Sequence, residues 1–327
     1  MLKLDLKESQ LTSFAPALKR YIREFHHEDG ETYSQECTQL EQLRTAVIKP
    51  TYDNSGCNLL RRYYGQIHLL KTRFPMGEGS PASVEFTWTD LYTEDPITIP
   101  DISHEQSSIL FNLGALHSLL GSREDRVSEE GMKVACTHYQ SAAGAFNYIK
   151  ENFGTDQYSD TSKDLLNLYI NVMLGQAQEC LLEKSMLDNR KNSLVARIAM
   201  QVQNYFTEAI ACLTSSFGEI LPPKMHKHWS KTLQIKCAYL NALAYMYMSN
   251  ASDEQGKYGE KVAFLKIAAQ RIADAQKLLK NQSQQVQEVV QFITDAVTQK
   301  LEGAKRDNDF IYHEPEPSST ALPEIKG

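Results

Sequence analysis

Turn-forming residues are scarce in this chain: 16 glycines and 11 prolines are spread over 327 residues, and only two tryptophans are present. With so few of them, with 42% hydrophobic residues, and with Ala, Leu, Gln and Glu plentiful in the second half, the composition favours a soluble, mostly helical protein that can bury a core. Long apolar runs are missing too. No segment reaches the roughly 18 apolar residues needed to cross a bilayer. Met1-Leu2-Lys3-Leu4-Asp5-Leu6-Lys7 mixes charge into its apolar alternation, so a cytoplasmic chain is expected. Nor is there an excess of basic charge. The 34 Lys and Arg against 41 Asp and Glu leave a net charge of −7, which repels nucleic acid rather than recruiting it.

Catalytic constellations are equally hard to find. Six cysteines, Cys37, Cys57, Cys136, Cys180, Cys212 and Cys237, are scattered through apolar helical patterns and read as reduced core residues. A tyrosine-phosphatase site needs an arginine six positions after its cysteine, because backbone amides cradle the thiolate while the guanidinium clamps the phosphate. Those positions hold Leu43, Tyr63, Ala142, Met186, Gly218 and Leu243. His226 and His228 lack a cysteine or carboxylate at metal-ligand spacing, and His26-His27 is merely an adjacent pair, so no metal is expected. Gly77-Glu78-Gly79 lacks the third glycine of a nucleotide loop, and no Gly-x-Ser-x-Gly elbow occurs. Neither catalysis nor a cofactor is expected within these residues.

What the chain does have is helical periodicity. Residues 1–100 form a mixed α/β part: Leu2 to Leu6 and Val84 to Trp88 alternate like strands, while residues 14–28, 31–47 and 58–73 have helical spacing. From Ser103 the pattern becomes helical hairpins, pairing 103–121 with 127–152, 162–187 with 190–214, and 225–249 with 257–280. Their second helices share an aromatic residue near small ones, as in His138 to Phe146, Tyr205 to Ile210 and Phe264 to Ala269, which lets neighbouring helices approach closely, as in tetratricopeptide-like arrays. Loops fall at 122–125, 154–161, 218–223 and 252–256. We read one domain over 1–314, with hairpins over 101–281, a C-terminal helix and anchoring segment over 282–314, and a Pro-rich linker beginning at 315–327. Phe310, Ile311 and Tyr312 are expected to leave the last helix extended and dock back on the array.

One helix carries more apolar surface than a single packing face needs. At 100° per residue, Val195, Ala199, Val202, Phe206 and Ile210 form one stripe, and Leu194, Ile198 and Tyr205 cluster roughly 80–100° from its centre. One reading is a solenoid helix packed on both sides. The other is an exposed groove edged by Lys133 or Arg197 that accepts a partner's amphipathic helix. Basic groups at Arg61, Arg62, Lys71 and Arg73, and at Lys184, Arg190, Lys191 and Arg197, allow an alternative, a membrane-binding module that reads anionic lipid.

Several segments resemble the BRO domain family. They run from Leu4-Asp5-Leu6-Lys7 through Tyr64-Gly65-Gln66, Leu113-Gly114-Ala115-Leu116-His117-Ser118, Ser128 to Lys133 and Gly175 to Lys191, to Asp307-Asn308-Asp309-Phe310-Ile311-Tyr312-His313. The resemblance implies a curved, banana-shaped helical solenoid with a tetratricopeptide-like core and a small β-sheet. It also implies a non-catalytic scaffold, recruited from the cytoplasm to endosomes, that binds the C-terminal amphipathic helix of the Snf-seven-type subunit of ESCRT-III and serves the sorting of ubiquitinated receptors into multivesicular bodies. Carried over position by position, the patch would comprise Leu181, Leu194 and Ile198, with Glu129 and Lys133 on a facing helix. Thr137 would border a neighbouring pocket for adaptors of the ubiquitin-sorting machinery, and Tyr312 matches a tyrosine that is either phosphorylated or an anchor. A phosphatase-like region is implied outside this chain.

Overall fold

Leu2 and Leu4 are buried as the alternation predicts, yet residues 2–6 form no strand. Their backbone groups find side chains instead of a neighbouring strand: the Leu4 amide donates to Ser118 Oγ at 2.9 Å, and Asn112 exchanges two bonds with the backbone of Lys7. Buried amides must be satisfied somewhere, and here a polar face on a helix does it. Sheet pairing begins only at a single antiparallel bridge between Ser9 and Trp88.

The computed structural model describes residues 1–153, 160–214 and 220–327, so the expected loops at 154–161 and 218–223 lie partly outside the described residues. The described residues form ten α-helices and one two-stranded antiparallel sheet. In chain order these are α1 (Ala15–Tyr21), α2 (Ser34–Val47), α3 (Asn54–Arg73), β1 (Phe86–Thr89), β2 (Pro96–Ile99), α4 (Ile102–Arg123), α5 (Glu129–Asn152), α6 (Lys163–Leu187), α7 (Asn192–Thr214), α8 (Pro223–Glu254), α9 (Tyr258–Lys277) and α10 (Gln284–Asp307). Two compact units result, one of Met1–Glu124 with Thr137–Ile170, the other of Asp125–Cys136 with Asn171–Gly327.

In the first unit, helix starts follow from capping. Asp53 accepts from the Gly56 amide at 2.9 Å and starts α3 four residues earlier than the periodicity suggests, and Asp101 accepts from Ser103 at 2.6 Å to start α4. The Gly56 amide and the Ser55 and Thr51 hydroxyls hold the Asp53 carboxyl down at about 2. Phe86 pairs with Ile99 and Trp88 with Ile97, with both β1 aromatics fully buried. At the centre lies Glu105. Arg44 donates to it through Nε at 2.9 Å and Nη2 at 3.2 Å, Tyr63 through its hydroxyl at 2.7 Å and Trp88 through Nε1 at 2.6 Å. Arg44 also reaches the Gln10 carbonyl and Ser9 Oγ.

The aromatic residues of the second helices have specific partners on the first. A Cβ on Gly114 would stand 2.8 Å from the Phe146 ring, and one on Gly121 would stand 3.0 Å from Tyr139. The second unit repeats the device, with Phe206 2.4 Å from the place of a Gly175 Cβ. Absence of a side chain on one helix admits the ring of the next, so helix axes can close together.

At the end of the chain the expectation of an extended segment is corrected. Residues Asn308–Tyr312 continue α10 as a π-turn, leaving Phe310 79% and Ile311 65% exposed. What is held there is different: Asn308 is buried and exchanges two bonds with the Glu314 backbone, and Tyr312 stacks on Tyr258 with ring centroids 3.3 Å apart. Residues 315–327 are irregular but not loose. Glu316 pairs with Lys266, Arg197 Nε donates to the Lys326 carbonyl at 3.1 Å, and Ile325 is buried.

Removing the central carboxylate would strand Arg44 among apolar side chains. Glu105→Ala should cost about 3–5 kcal/mol, read as a lower urea midpoint in the near-ultraviolet signal of Trp88. A midpoint equal to that of the parent would show that Glu105 is not the hub of this unit.

Candidate protein-binding surface

The two apolar sides of α7 separate cleanly. Val195, Ala199, Val202 and Phe206 are buried, whereas Leu194 is 44% exposed and Ile198 and Tyr205 are half-buried. Leu194, Ile198 and Tyr205 recur at spacings of four and seven, so they share one face. Helices α6 and α7 form an antiparallel hairpin closed by the Arg190 amide donating to the Ser185 carbonyl, and Gly175 against Phe206 sets its register. This register brings Leu181, 43% exposed, level with the turn of α7 that carries Ile198. Leu181 on α6 and Leu194 on α7 are thus both exposed, with Ile198 half-buried one turn on from Leu194.

Charge organises the edge of that surface. Lys184, one turn beyond Leu181, bridges Glu129 at the start of α5 at 2.7 Å and Asp188 at 3.1 Å. With Arg190, which pairs with Asp188, these groups balance in charge: the Glu129 and Asp188 carboxylates raise the Lys184 ammonium, and Lys184 and Arg190 lower Asp188. Lys133 is exposed one turn along α5 from Glu129 and lies 3.8 Å from Glu130. Thr137, exposed one further turn along, belongs to the first unit. Tyr312, 41% exposed, is in the stack with Tyr258.

Beneath the edge lies a charged network that sequence reasoning missed. Glu179 accepts from Lys236 at 2.5 Å and Tyr239 at 2.9 Å, and Lys236 sits 5.3 Å from the centre of the Phe206 ring. Burial alone would raise the Glu179 carboxyl, but Lys236 and Arg126 hold it below its ordinary value. One turn on, Glu183 accepts from Arg126 at 2.9 Å, yet its second oxygen is buried without a hydrogen bond. Burial, and then the Glu179 carboxylate, push Glu183 up to about 7 against the pull of Arg126. Spacing of four residues between two glutamates on α6 was the available signal; their burial beside Lys236, more than fifty positions away, was not. The exposure of Leu187 (55%) at the end of α6 was missed as well, as was the return of Lys326 to Arg197, the residue next to Ile198.

The remaining chemistry is inert. Burial pushes the thiols of Cys57 and Cys237 up to about 11 and that of Cys180 up to about 12, so they stay protonated, and all six cysteines are free. His226 Nε2 lies 3.0 Å from the Leu213 carbonyl, and among the described residues no group of His, Cys, Asp and Glu is placed to hold a metal. Among the same residues no helix is long and apolar enough to cross a membrane.

Fold and surface together define a class: a helical domain with a small sheet and exposed aliphatic side chains on α6 and α7, in which the described residues hold no metal-binding group of His, Cys, Asp and Glu. The family model described as BRO1-like domain matches residues 1–327, and the chain belongs to that family. The human tyrosine-protein phosphatase non-receptor type 23 is 46% identical over 327 residues, all of this chain but 20% of that protein. This chain thus spans about a fifth of that relative's length. The vacuolar protein-sorting protein bro-1 of Neurospora crassa is 33% identical over 337 residues, covering 98% of this chain and 33% of the relative. Among solved structures, an ALIX BRO1 domain in complex with CHMP4C superposes with a TM-score of 0.89 at 28% identity, covering all of this chain and 92% of that one. A Bro1 domain studied for endosomal targeting shares the fold, with a TM-score of 0.85 at 21% identity.

The Glu183 carboxyl also gives the domain a pH signature. Its folded value lies above the ordinary 4.5, so the folded state holds a proton that the unfolded state has released, and stability falls as pH rises from about 4.5 to about 7. In Glu183→Gln this loss should be absent, so the gap between urea midpoints at about pH 5 and about pH 8 should narrow relative to the parent. An unchanged gap would place the titration elsewhere.

Proposed function

We propose that this domain is a non-catalytic scaffold that binds the C-terminal amphipathic helix of a Snf-seven-type ESCRT-III subunit and so serves endosomal sorting of ubiquitinated receptors into multivesicular bodies. The observation that carries the reading is the exposed aliphatic face of the α6–α7 hairpin, Leu181, Leu194 and Ile198, on a backbone held by buried contacts. Such a face suits a helix laid in with leucine and methionine side chains downward, where burial supplies affinity and flanking charge supplies orientation. The likeness to an ALIX BRO1 domain crystallised with CHMP4C supports the same choice. Glu129 is paired with Lys184 and Lys133 lies 3.8 Å from Glu130, and this charged edge would orient a partner helix. Adaptors of the sorting machinery would engage the neighbourhood of Thr137. A phosphatase-like region would belong to the part of such a protein outside this chain.

The lipid-binding alternative draws less support. Several of its basic residues are committed within the fold: Arg61 contacts His117 at 2.8 Å, Lys71 donates to Ser103 at 2.9 Å, Arg190 pairs with Asp188 and Arg197 with the Lys326 carbonyl.

The test is titration of a fluorescent peptide, the C-terminal helix of CHMP4C, into the domain and into its Leu194→Asp/Ile198→Asp form, with circular dichroism to establish folding. Two aspartates buried without partners should weaken binding by about 100-fold or more. A folded double variant that binds with parental affinity would move the site away from α7.

A further inference from the structure

A second apolar surface lies in the first unit, and nothing in the function proposed above uses it. A groove of about 800 Å³ opens between α1 with the turn that follows it and the α2–α3 pair. Its floor is Leu18, Ile22 and Cys37, all buried. Its walls have a regular form. On α3 the lining residues Gln66, Leu69, Leu70 and Arg73 fall at i, i+3, i+4 and i+7, and along α2 and the residue before it Tyr33, Glu36, Cys37 and Leu40 repeat the same spacing. That spacing is the face one helix turns toward another. Two such faces therefore border a trough about two helical turns long.

The trough is apolar at its edges as well as its floor. Leu69 is 60% exposed and Tyr33 is 37% exposed, and Phe74 meets Tyr21 edge-on at 5.5 Å, with Phe25, 53% exposed, stacked on Tyr21 at 4.6 Å. A large aliphatic side chain left this open on a helix wall is informative only when it belongs to a continuous patch, and here it does.

Charge selects the occupant. The α2 wall carries Glu36 with Glu28 beside it, the latter accepting from the Tyr33 hydroxyl at 2.6 Å, and Glu24, Asp29 and Glu31 are exposed on the adjoining turns. Across the groove the α3 wall offers Arg73, and Lys19 is taken up by Glu31 at 2.7 Å. The lining itself holds two carboxylates, Glu28 and Glu36, against the Arg73 guanidinium, while on the adjoining turns the exposed Arg20 and Arg23 offset Glu24 and Asp29. Apolar depth, two helical walls and an acidic margin fit one kind of ligand.

We propose that this groove is a second docking surface, for a basic amphipathic helix of a partner protein, with aliphatic side chains inserted between Leu69 and Leu18 and with lysine or arginine facing Glu28 and Glu36. It is distinct in residues from the α7 face, so both partners would be bound through different helices of the domain.

The probe is a labelled 14-residue model helix with leucines at i, i+3, i+4 and i+7 and lysines on its flanks, compared by fluorescence anisotropy with the same peptide carrying glutamates in place of the lysines. Both are titrated into the domain already bearing Leu194→Asp/Ile198→Asp, which removes the α7 face from the measurement. The lysine peptide should bind at least tenfold tighter than the glutamate peptide. Leu69→Asp, at a position exposed enough to fold normally, should weaken the lysine peptide at least tenfold, and Glu28→Lys/Glu36→Lys should abolish the preference for lysine. Equal binding of the two peptides, indifference to Leu69→Asp, or loss of all binding in the α7-disabled background would each overturn the proposal. Success here alongside a failed CHMP4C titration would leave the groove standing and the α7 reading fallen, so the two claims separate.

Discussion

A fully buried carboxylate, Glu105, is the constraint around which the first unit is built. An ionised carboxylate removed from water costs several kcal/mol unless donors replace its hydration. Four donors come from three places in the chain: two from Arg44 on α2, one from Tyr63 on α3, and one from Trp88 on β1. Arg44 spends its remaining Nη1 and Nη2 donors on the segment at Ser9 and Gln10. None of these segments can shift by an ångström without orphaning a charge, so a chain stretch with only two strands of sheet is nonetheless fixed in register. The walls of the α2–α3 groove inherit that rigidity, since Arg44 and Tyr63 stand on the same helices as Glu36 and Leu69.

The second unit uses a smaller version of the same logic beneath its binding face. Glu179 draws Lys236 and Tyr239 from α8 onto α6, and Lys236 in turn rests over Phe206, whose ring fills the space left by Gly175. Electrostatic and steric constraints thereby coincide on the α6–α7 hairpin. A surface that must accept a helix benefits from such stiffness, because residues already ordered lose little further entropy on binding. Glu183 is the exception within this network. One of its oxygens is buried without a hydrogen bond, and that shortfall, with the neighbouring Glu179 charge, is why its proton is retained to about pH 7.

Helical periodicity made most of this fold legible. The hairpins over 103–280 and the helix from Gln284 appear within a few residues of their expected bounds, because long amphipathic helices carry a strong 3.6-residue signal. The double-sided face of α7 was visible for the same reason. Where reading failed, the deciding contact was distant in sequence. Leu2 to Leu6 alternates like a strand, but its partners are the side chains of Asn112 and Ser118 on a helix rather than a neighbouring strand. Phe310 and Ile311 look like anchors by composition, yet Asn308 and Glu314 close the segment so tightly that the chain never extends. The α2–α3 groove escaped notice because each of its three segments reads alone as an ordinary helix with one apolar side. Only their arrangement shows that Leu69 faces no neighbour.

The two surfaces differ in how charge is spent, and that difference sets what each can discriminate. At the α7 face, Lys184 and Arg190 together balance Glu129 and Asp188, so little net field would reach a ligand and apolar fit would carry selectivity. A ligand there would be chosen by which side chains it presents to Leu181, Leu194 and Ile198, and its affinity should respond weakly to salt. In the docking role proposed for the α2–α3 groove, the lining pair Glu28 and Glu36 exceeds Arg73 by one charge, whose field falls off over about a Debye length, roughly 10 Å at 0.1 M salt. That field accelerates encounter with basic helices and rejects acidic ones before any apolar contact forms. Were both faces to accept helices, each would select by a different means, apolar fit at α7 and charge at the groove, so the feature that admits a helix to one would count for little at the other.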